Sequence, residues 1–208
     1  MGGKAAAGPA DTRGMARRPI LLALALLALA LPASATAAGN PADALASTAI
    51  DAYRYDRATE CRSKIPAGTL ALKAWLQGNA GGSFWGIQRC ERWGKNSASV
   101  HAEGRAIDWH LNVHRSADKK EASRLIRLFL ATDKAGNRHA LARRMGIQGL
   151  IWNCRSWWSG GDGMRPYSAC YDRDGKPKRI DDTTAHRDHI HVELNWAGAR
   201  KQTSFWRR

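Results

Sequence analysis

Helical and strand periodicities interspersed without a β-α-β repeat predict an α+β domain: a small, mostly antiparallel sheet flanked by helices. Three observations point there. Two apolar stripes at helical spacing end at Gly or small residues, short runs of period two carry paired histidines, and no internal repeat is visible. The chain has 208 residues, 44% hydrophobic and 25% charged, which suffices for one packed core and excludes disorder throughout. Its 33 Lys and Arg against 18 Asp and Glu give a formal charge of +15.

The first 38 residues read as a targeting segment. Arg17 and Arg18 precede twelve apolar residues, Ile20 to Leu31, and Pro32 and small residues follow through Ala38. A basic start, a short apolar run and an A-x-A site (Ala33-Ser34-Ala35 or Ala35-Thr36-Ala37) are what export and cleavage require, and twelve residues is short for a membrane span. Met15 is a second candidate start, and the Arg17-Arg18 pair lacks the flanking pattern of twin-arginine export. A mature domain of residues 39–208 would keep 29 cations and 17 acids, a charge of +12.

Along that domain, Pro41 to Arg57 has helical spacing, with Leu45, Ile50 and Tyr53 on one side. Pro66 to Gln77 predicts a second helix, opened by Pro and closed at Gly78. Phe84 to Ile87 begins a strand running into Cys90, and Ala106 to Val113 alternates as another. Ser116 reads as the cap of a long helix with Leu125, Ile126, Leu128, Phe129 and Leu130 as its stripe and Asp118 and Glu121 in its first turns. A short helix from His139 to Met145 stops at Gly146, Ile147 to Trp152 is a buried strand, and Ile190 to Asn195 is the last. Asn153 to Thr184, with six Gly or Pro, reads as a long irregular loop of the functional kind.

Export places Cys61, Cys90, Cys154 and Cys170 in an oxidising compartment, where four cysteines allow three pairings. Cys61 with Cys90 and Cys154 with Cys170 is favoured, each pair bracketing one irregular, Gly-containing segment. No C-x2-C spacing supports a four-cysteine zinc site.

The histidines carry the chemistry. His101, His110 and His114 gather around one strand, and His186, His189 and His191 around another. His189 and His191 are two apart, so a strand aims both rings at one face. In S-V-H-A-E-G-R-A-I-D, Asp108 lies seven residues after His101, with Gly104 allowing a tight turn between them. Two imidazoles and one carboxylate drawn from these runs would make a three-ligand zinc site with a fourth position open, the requirement of hydrolytic zinc.

Those two runs resemble the LAS-type zinc peptidases, which include D-Ala-D-Ala carboxypeptidases and dipeptidases, phage L-alanyl-D-glutamate endolysins and the penicillin-insensitive murein endopeptidase. Ser99 to Asp108 is similar to their S-x-H-x-x-G-x-A-x-D, and Asp188 to Leu194 to their D/E-x-x-H-x-E. The resemblance spans about 95 residues and implies a hedgehog/D-Ala-D-Ala peptidase-like fold, a Zn2+ cofactor and the ligands His101, Asp108 and His191. It implies Asp188 as the catalytic carboxylate. In the murein-endopeptidase branch, whose H-x-x-H-x-H pattern is also present, His189 takes that part, with His186 as a further donor. Strict alternation puts Asp188 on the face opposite His191, so Asp188 reaches the site only if the chain bends just before Ile190. Arg105 is the candidate cation for an oxyanion or substrate carboxylate, and Glu193 the support of a ligand histidine. Trp109, Trp152, Trp157, Trp158 and Tyr167 are candidate cleft walls.

The cations are spread along the chain with no basic repeat and no nucleic-acid module. An exported domain of this charge is drawn to anionic wall polymers and carboxylate-bearing peptidoglycan stem peptides. The expected function is that of a secreted zinc metallopeptidase hydrolysing peptide bonds in peptidoglycan. A non-catalytic metal- or wall-binding domain is the alternative, then a secreted nuclease or nucleic-acid binder. No membrane partner is expected once the signal is removed.

Overall fold

The computed structural model describes residues 49–207. The expected targeting segment and the first part of the Pro41 to Arg57 helix lie outside these residues. Helix α1 spans Ala67–Asn79, followed by β1 (Ser83–Gly86) and a two-stranded ribbon of β2 (Arg92–Gly94) and β3 (Ser97–Ala98). A 3-10 turn, Val100–Glu103, leads into β4 (Ala106–His110), and then come α2 (Ser116–Leu130) and α3 (Ala140–Met145). Next are β5 (Ile147–Trp152), β6 (Arg155–Trp158) and β7 (Arg165–Pro166), a 3-10 turn at Ser168–Cys170, β8 (His189–Leu194) and α4 (Trp196–Ala199). The main sheet has six strands in the order β1-β4-β8-β5-β6-β7, all antiparallel. The α+β class with an antiparallel sheet is therefore present. Among the described residues no helix is long and apolar enough to cross a membrane.

One sheet face builds the core and the other the site. Ile107 and Trp109 of β4 and Ile190, Val192 and Leu194 of β8 pack with Leu72 and Leu76 of α1, Ala122, Leu125 and Phe129 of α2, and Leu141 and Met145 of α3. The alternate residues, Asp108 on β4 and His189, His191 and Glu193 on β8, project from the other face, buried as well. In α2 the buried stripe is Ala122, Leu125 and Phe129 at helical spacing, so Ile126, Leu128 and Leu130 only flank the core. Arg115, not Ser116, holds the cap position, and the Asp118 carboxylate accepts from the Asn112 amide at 3.0 Å.

The described part of the expected N-terminal helix, residues 49–57, is not helical and has no regular secondary structure. Tertiary contacts override its helical spacing. The Asp51 carboxylate accepts from the Ser204 amide and hydroxyl, and Tyr53 Oη lies 3.0 Å from His139 Nδ1. Asp56 receives the Trp196 amide on its carboxylate and the Arg105 guanidinium on its carbonyl. These partners lie on several elements, a spread that one turn of helix does not span.

The segment expected to be irregular, Asn153 to Thr184, contains β6 and β7. Asn153 and Cys154 adopt φ of 48° and 57°, making a tight left-handed connection between β5 and β6. Cysteine is rare in that conformation, which hid the hairpin. Both favoured disulfides are present, Cys61 to Cys90 and Cys154 to Cys170; such bonds persist in exported proteins. Between α2 and α3, the enclosed Arg144 guanidinium meets the enclosed Asp133 carboxylate at 2.8 Å. Asp133 also accepts from the amides of Ala135 and Asn137, fixing that loop. Burial pushes the Asp133 carboxyl up, but these donors and Arg144 bring it down to about 2.

Candidate metal centre and cleft

The S-V-H-A-E-G motif folds as a capped 3-10 turn. Ser99 Oγ accepts from the His101 amide at 3.3 Å, and Gly104 closes the turn at φ 67°, its amide donating to His101 O. A Cβ at Gly104 would meet Ile65 Cα at 3.2 Å, so glycine is required both for the left-handed conformation and for the close approach. The turn delivers His101 over β4, and the β4–β8 register sets Asp108 opposite His191.

Three atoms then converge. His101 Nε2 lies 3.1 Å from Asp108 Oδ1 and 3.0 Å from His191 Nδ1, and His191 Nδ1 lies 2.9 Å from Asp108 Oδ1. The outer partners decide what these atoms carry. His101 Nδ1 faces the Ile87 carbonyl at 2.5 Å, and His191 Nε2 faces Glu193 Oε1 at 3.1 Å. A carbonyl and a carboxylate only accept, so both outer nitrogens hold hydrogens. In the neutral rings the inner nitrogens are then bare lone pairs, turned on each other and on a carboxylate oxygen in a buried site. A cation at their centre satisfies such a set.

The electrostatics say the same in terms of protons. Burial pushes the Asp108 carboxyl up, yet hydrogen bonds from His101 and His191 hold it well below the carboxylate range. Burial likewise pushes His191 down, but Asp108 and Glu193 outweigh it and raise the ring to about 9. His101 is lowered by burial and by the charge of His191. With no metal one proton occupies the triangle; a metal would replace it. The separations suit a small divalent ion, whose bonds of ~2.0–2.2 Å to N and O place tetrahedral ligands about 3.3–3.6 Å apart. The His2Asp donor set and its oriented outer partners fit a divalent ion. His101, Asp108 and His191 thus form a buried triad able to hold a metal, and Glu193 stands where support of a ligand histidine was expected.

His189 lies beside the triad. Its Nδ1 is 2.7 Å from Asp188 Oδ1, while Nε2 is buried, has no hydrogen-bond partner among the described residues, and lies 3.4 Å from Asp108 Oδ1. Asp188 does not bend into the site. Pairing with β4 continues past the strand end, the Leu111 amide donating to Asp188 O, and the second carboxylate oxygen accepts from Thr183 Oγ1 at 2.6 Å. Asp188 therefore reaches the triad through His189. His186 packs against both, its ring centroid 4.6 Å from that of His189 and 5.5 Å from that of His191. It adopts φ 51°, locked where the Asn153 amide donates to its carbonyl, a left-handed residue in a cleft. Burial and the neighbouring His191 and His189 hold its ring down to about 3, so it is neutral across the physiological range.

Arg105 corrects an expectation. It is fully buried, its guanidinium spent on Glu103, the Leu194 and Asp56 carbonyls and the Trp196 ring. Alternation along β4 turns a residue three before Asp108 away from it. Arg89 holds the place near the site instead, Nη1 donating to Asp108 Oδ2 at 2.7 Å. His110 stands edge-on to Trp85, His114 pairs with Asp182 at the surface, and His139 bonds Tyr53; none of them joins the triad.

A cleft of about 680 Å3 opens on His101, His186, His189 and His191. Trp158 and Tyr167 line it as expected, whereas Trp109, Trp152 and Trp157 belong to the core. Tyr55, Arg57, Arg89 and Trp93 also line it and were missed. Tyr55 and Arg57 sit in the segment read as a helix, and Arg89 and Trp93 beside a cysteine, where no spacing signal marks them. Gly149 belongs to the site as well: a Cβ there would meet the Trp158 ring at 2.5 Å and Glu193 Oε2 at 2.9 Å.

No curated protein and no solved structure matches the chain. Residues 61–180, more than half of its length, match the family described as VldE, C-terminal domain, a span that includes His101 and Asp108 and stops before His186, and the chain belongs to that family.

Proposed function

We propose that this protein is a secreted zinc-dependent peptidase that hydrolyses peptide bonds in peptidoglycan stem peptides or cross-links, with a hedgehog/D-Ala-D-Ala peptidase-like fold of the LAS type. One observation carries the reading: beside a buried His2Asp triad able to hold a metal, a histidine nitrogen with no partner among the described residues lies 3.4 Å from the triad's carboxylate, on a carboxylate-oriented ring. A purely structural metal site has no use for that second feature, whereas hydrolysis needs a base next to the activated water.

When bound, zinc would supply Lewis acidity and a water of lowered pKa, held by His101, Asp108 and His191. The chain's own groups do the rest. His189 Nε2 is the acceptor for the proton of the attacking water and later its donor to the leaving amine. Asp188, with Thr183 behind it, fixes the His189 tautomer so that Nε2 and not Nδ1 is bare. His186 stays neutral, and its one ring N–H is held by the Thr184 carbonyl 3.2 Å from Nδ1, so the ring packs beside His189 and His191 as an uncharged wall of the site. Arg89 holds Asp108 in register and brings a cation to the cleft edge, the part first assigned to Arg105. Tyr55, Trp93, Trp158 and Tyr167 form the walls against which a peptide lies.

The test is incubation of the purified mature protein with peptidoglycan and, separately, with DNA, each with and without chelator. The reading predicts new amino termini from peptidoglycan, abolished by chelator and restored by zinc. Chelator-sensitive cutting of DNA instead would make the site a nuclease, and metal binding with no product would make it a binding domain.

A further inference from the structure

A second cavity, of about 470 Å3, shares no lining residue with the cleft. Cys61, Arg62, Ser63, Lys64, Pro66, Trp196 and Arg200 surround it. Arg62, Lys64 and Arg200 are cations, and among the described residues no acidic side chain lines it. Arg62 has one exposed partner, Glu60 at 2.6 Å; among the described residues neither Lys64 nor Arg200 makes an ion pair. The first turn of α1, which follows Pro66, contains no acidic residue either. Gathering like charges around a concavity is unfavourable, and nothing in the core requires it.

The arginines are also held in place. The Arg62 and Arg200 guanidiniums lie over the Trp196 ring at 4.8 and 4.7 Å from its centroid. The buried Arg105 guanidinium lies 4.7 Å from the same ring, and the Trp196 amide is bound by Asp56, so the platform is fixed. Stacking holds a guanidinium by its face and leaves edge N–H groups for an acceptor. That arrangement lowers the ordering cost of binding and suits the fork geometry of phosphate. The Cys61–Cys90 disulfide joins this cavity to the neighbour of Arg89, so cavity and cleft edge are carried on one cross-linked segment.

We propose that this cavity is an anion-binding site for phosphate-class oxyanions, supplied either as free phosphate or by a phosphodiester-linked wall polymer. With Arg62 partly balanced by Glu60, Lys64 and Arg200 still leave two cations for a ligand, which suits a phosphate better than a lone carboxylate, and a site apart from the cleft can hold the domain on a surface. Phosphate binding does not depend on the peptidase reading; only the hydrolysis control in its test rests on it.

Calorimetry of the mature, disulfide-intact protein with inorganic phosphate and with glycerol phosphate tests it, alongside co-sedimentation with walls before and after removal of phosphodiester polymers. Saturable one-site phosphate binding is expected. The double variant K64Q/R200Q, both positions exposed, should weaken it at least about tenfold. Zinc content and hydrolysis of a soluble peptide should be unchanged by that variant, which separates failure of this site from failure of the metal centre. Loss of sedimentation on stripped walls would identify the polymer as the source, and unchanged sedimentation would identify free phosphate. Equal phosphate affinity in the double variant, absence of saturable binding, or tighter binding of polyglutamate than of phosphate would overturn the proposal.

Discussion

His101 Nε2 and His191 Nδ1 face each other at 3.0 Å, each ring turned so that its other nitrogen meets an acceptor, Ile87 O or Glu193 Oε1. Two lone pairs at that distance repel unless a proton or a metal lies between them. The pH behaviour of the protein follows from which of the two is present.

In the metal-free protein the cation is a proton on His191, raised to about 9 from an ordinary value near 6.5. A raised histidine stabilises the fold fully below its unfolded value, and that contribution is lost as pH rises through the folded value. Thermal unfolding in chelator should therefore show stability falling between about pH 6.5 and pH 9. With zinc bound the decline should be absent. Metal affinity should rise with pH over the same range, by up to about tenfold per unit for one displaced proton.

Asp188 and His189 should separate by their kinetics. His189→Ala should keep zinc and lower turnover by about 10² to 10⁴, the usual cost of losing a general base. Asp188→Asn should also keep zinc and lower turnover, because an amide can orient the ring in the wrong tautomer. If D188N is inert and H189A is nearly as active as the native protein, the carboxylate acts directly and the Asp188–His189 pair does not work as proposed.

Much of this centre was legible in the sequence, and the reason is local. The S-x-H-x-x-G-x-A-x-D run encodes its own turn through Ser99 and Gly104, and period-two spacing puts His189, His191 and Glu193 on one face whatever surrounds them. The cleft was less legible. Tyr55 and Arg57 line it because Asp51 and Asp56 tie an irregular strap to residues some 90 to 150 positions away, information that no local window contains. Arg105 misled for the complementary reason: proximity to Asp108 in sequence hid that alternation turns it toward Glu103. The β5–β6 hairpin was lost because Asn153-Cys154 is not a usual left-handed pair.

The Asp133–Arg144 pair, enclosed on both sides, should matter for stability rather than activity. Asp133→Ala leaves a buried guanidinium without its carboxylate and should cost about 3–5 kcal/mol in urea unfolding. Replacing both residues with apolar ones should cost less. Because Asp133 is lowered to about 2, its contribution is present above the ordinary carboxylate value and disappears as pH falls toward 2.

The Cys154–Cys170 bond closes the segment that carries Tyr167 into the cleft. Replacing both cysteines with serine should lower stability by about 3 kcal/mol in the chain-entropy account. It should also raise KM more than it lowers kcat, since a cleft wall loosens while the triad stays in place. An unchanged KM would mean that Tyr167 does not contact substrate.

The most direct measurement is metal content of the purified mature protein by elemental analysis, native and with His101→Ala, Asp108→Ala or His191→Ala. One equivalent of zinc in the native chain, lost in each variant while both disulfides and the circular dichroism spectrum remain, is the predicted result. Full zinc in all three variants, or a native protein that binds no divalent metal at any pH, would contradict the metal centre and with it the proposed chemistry.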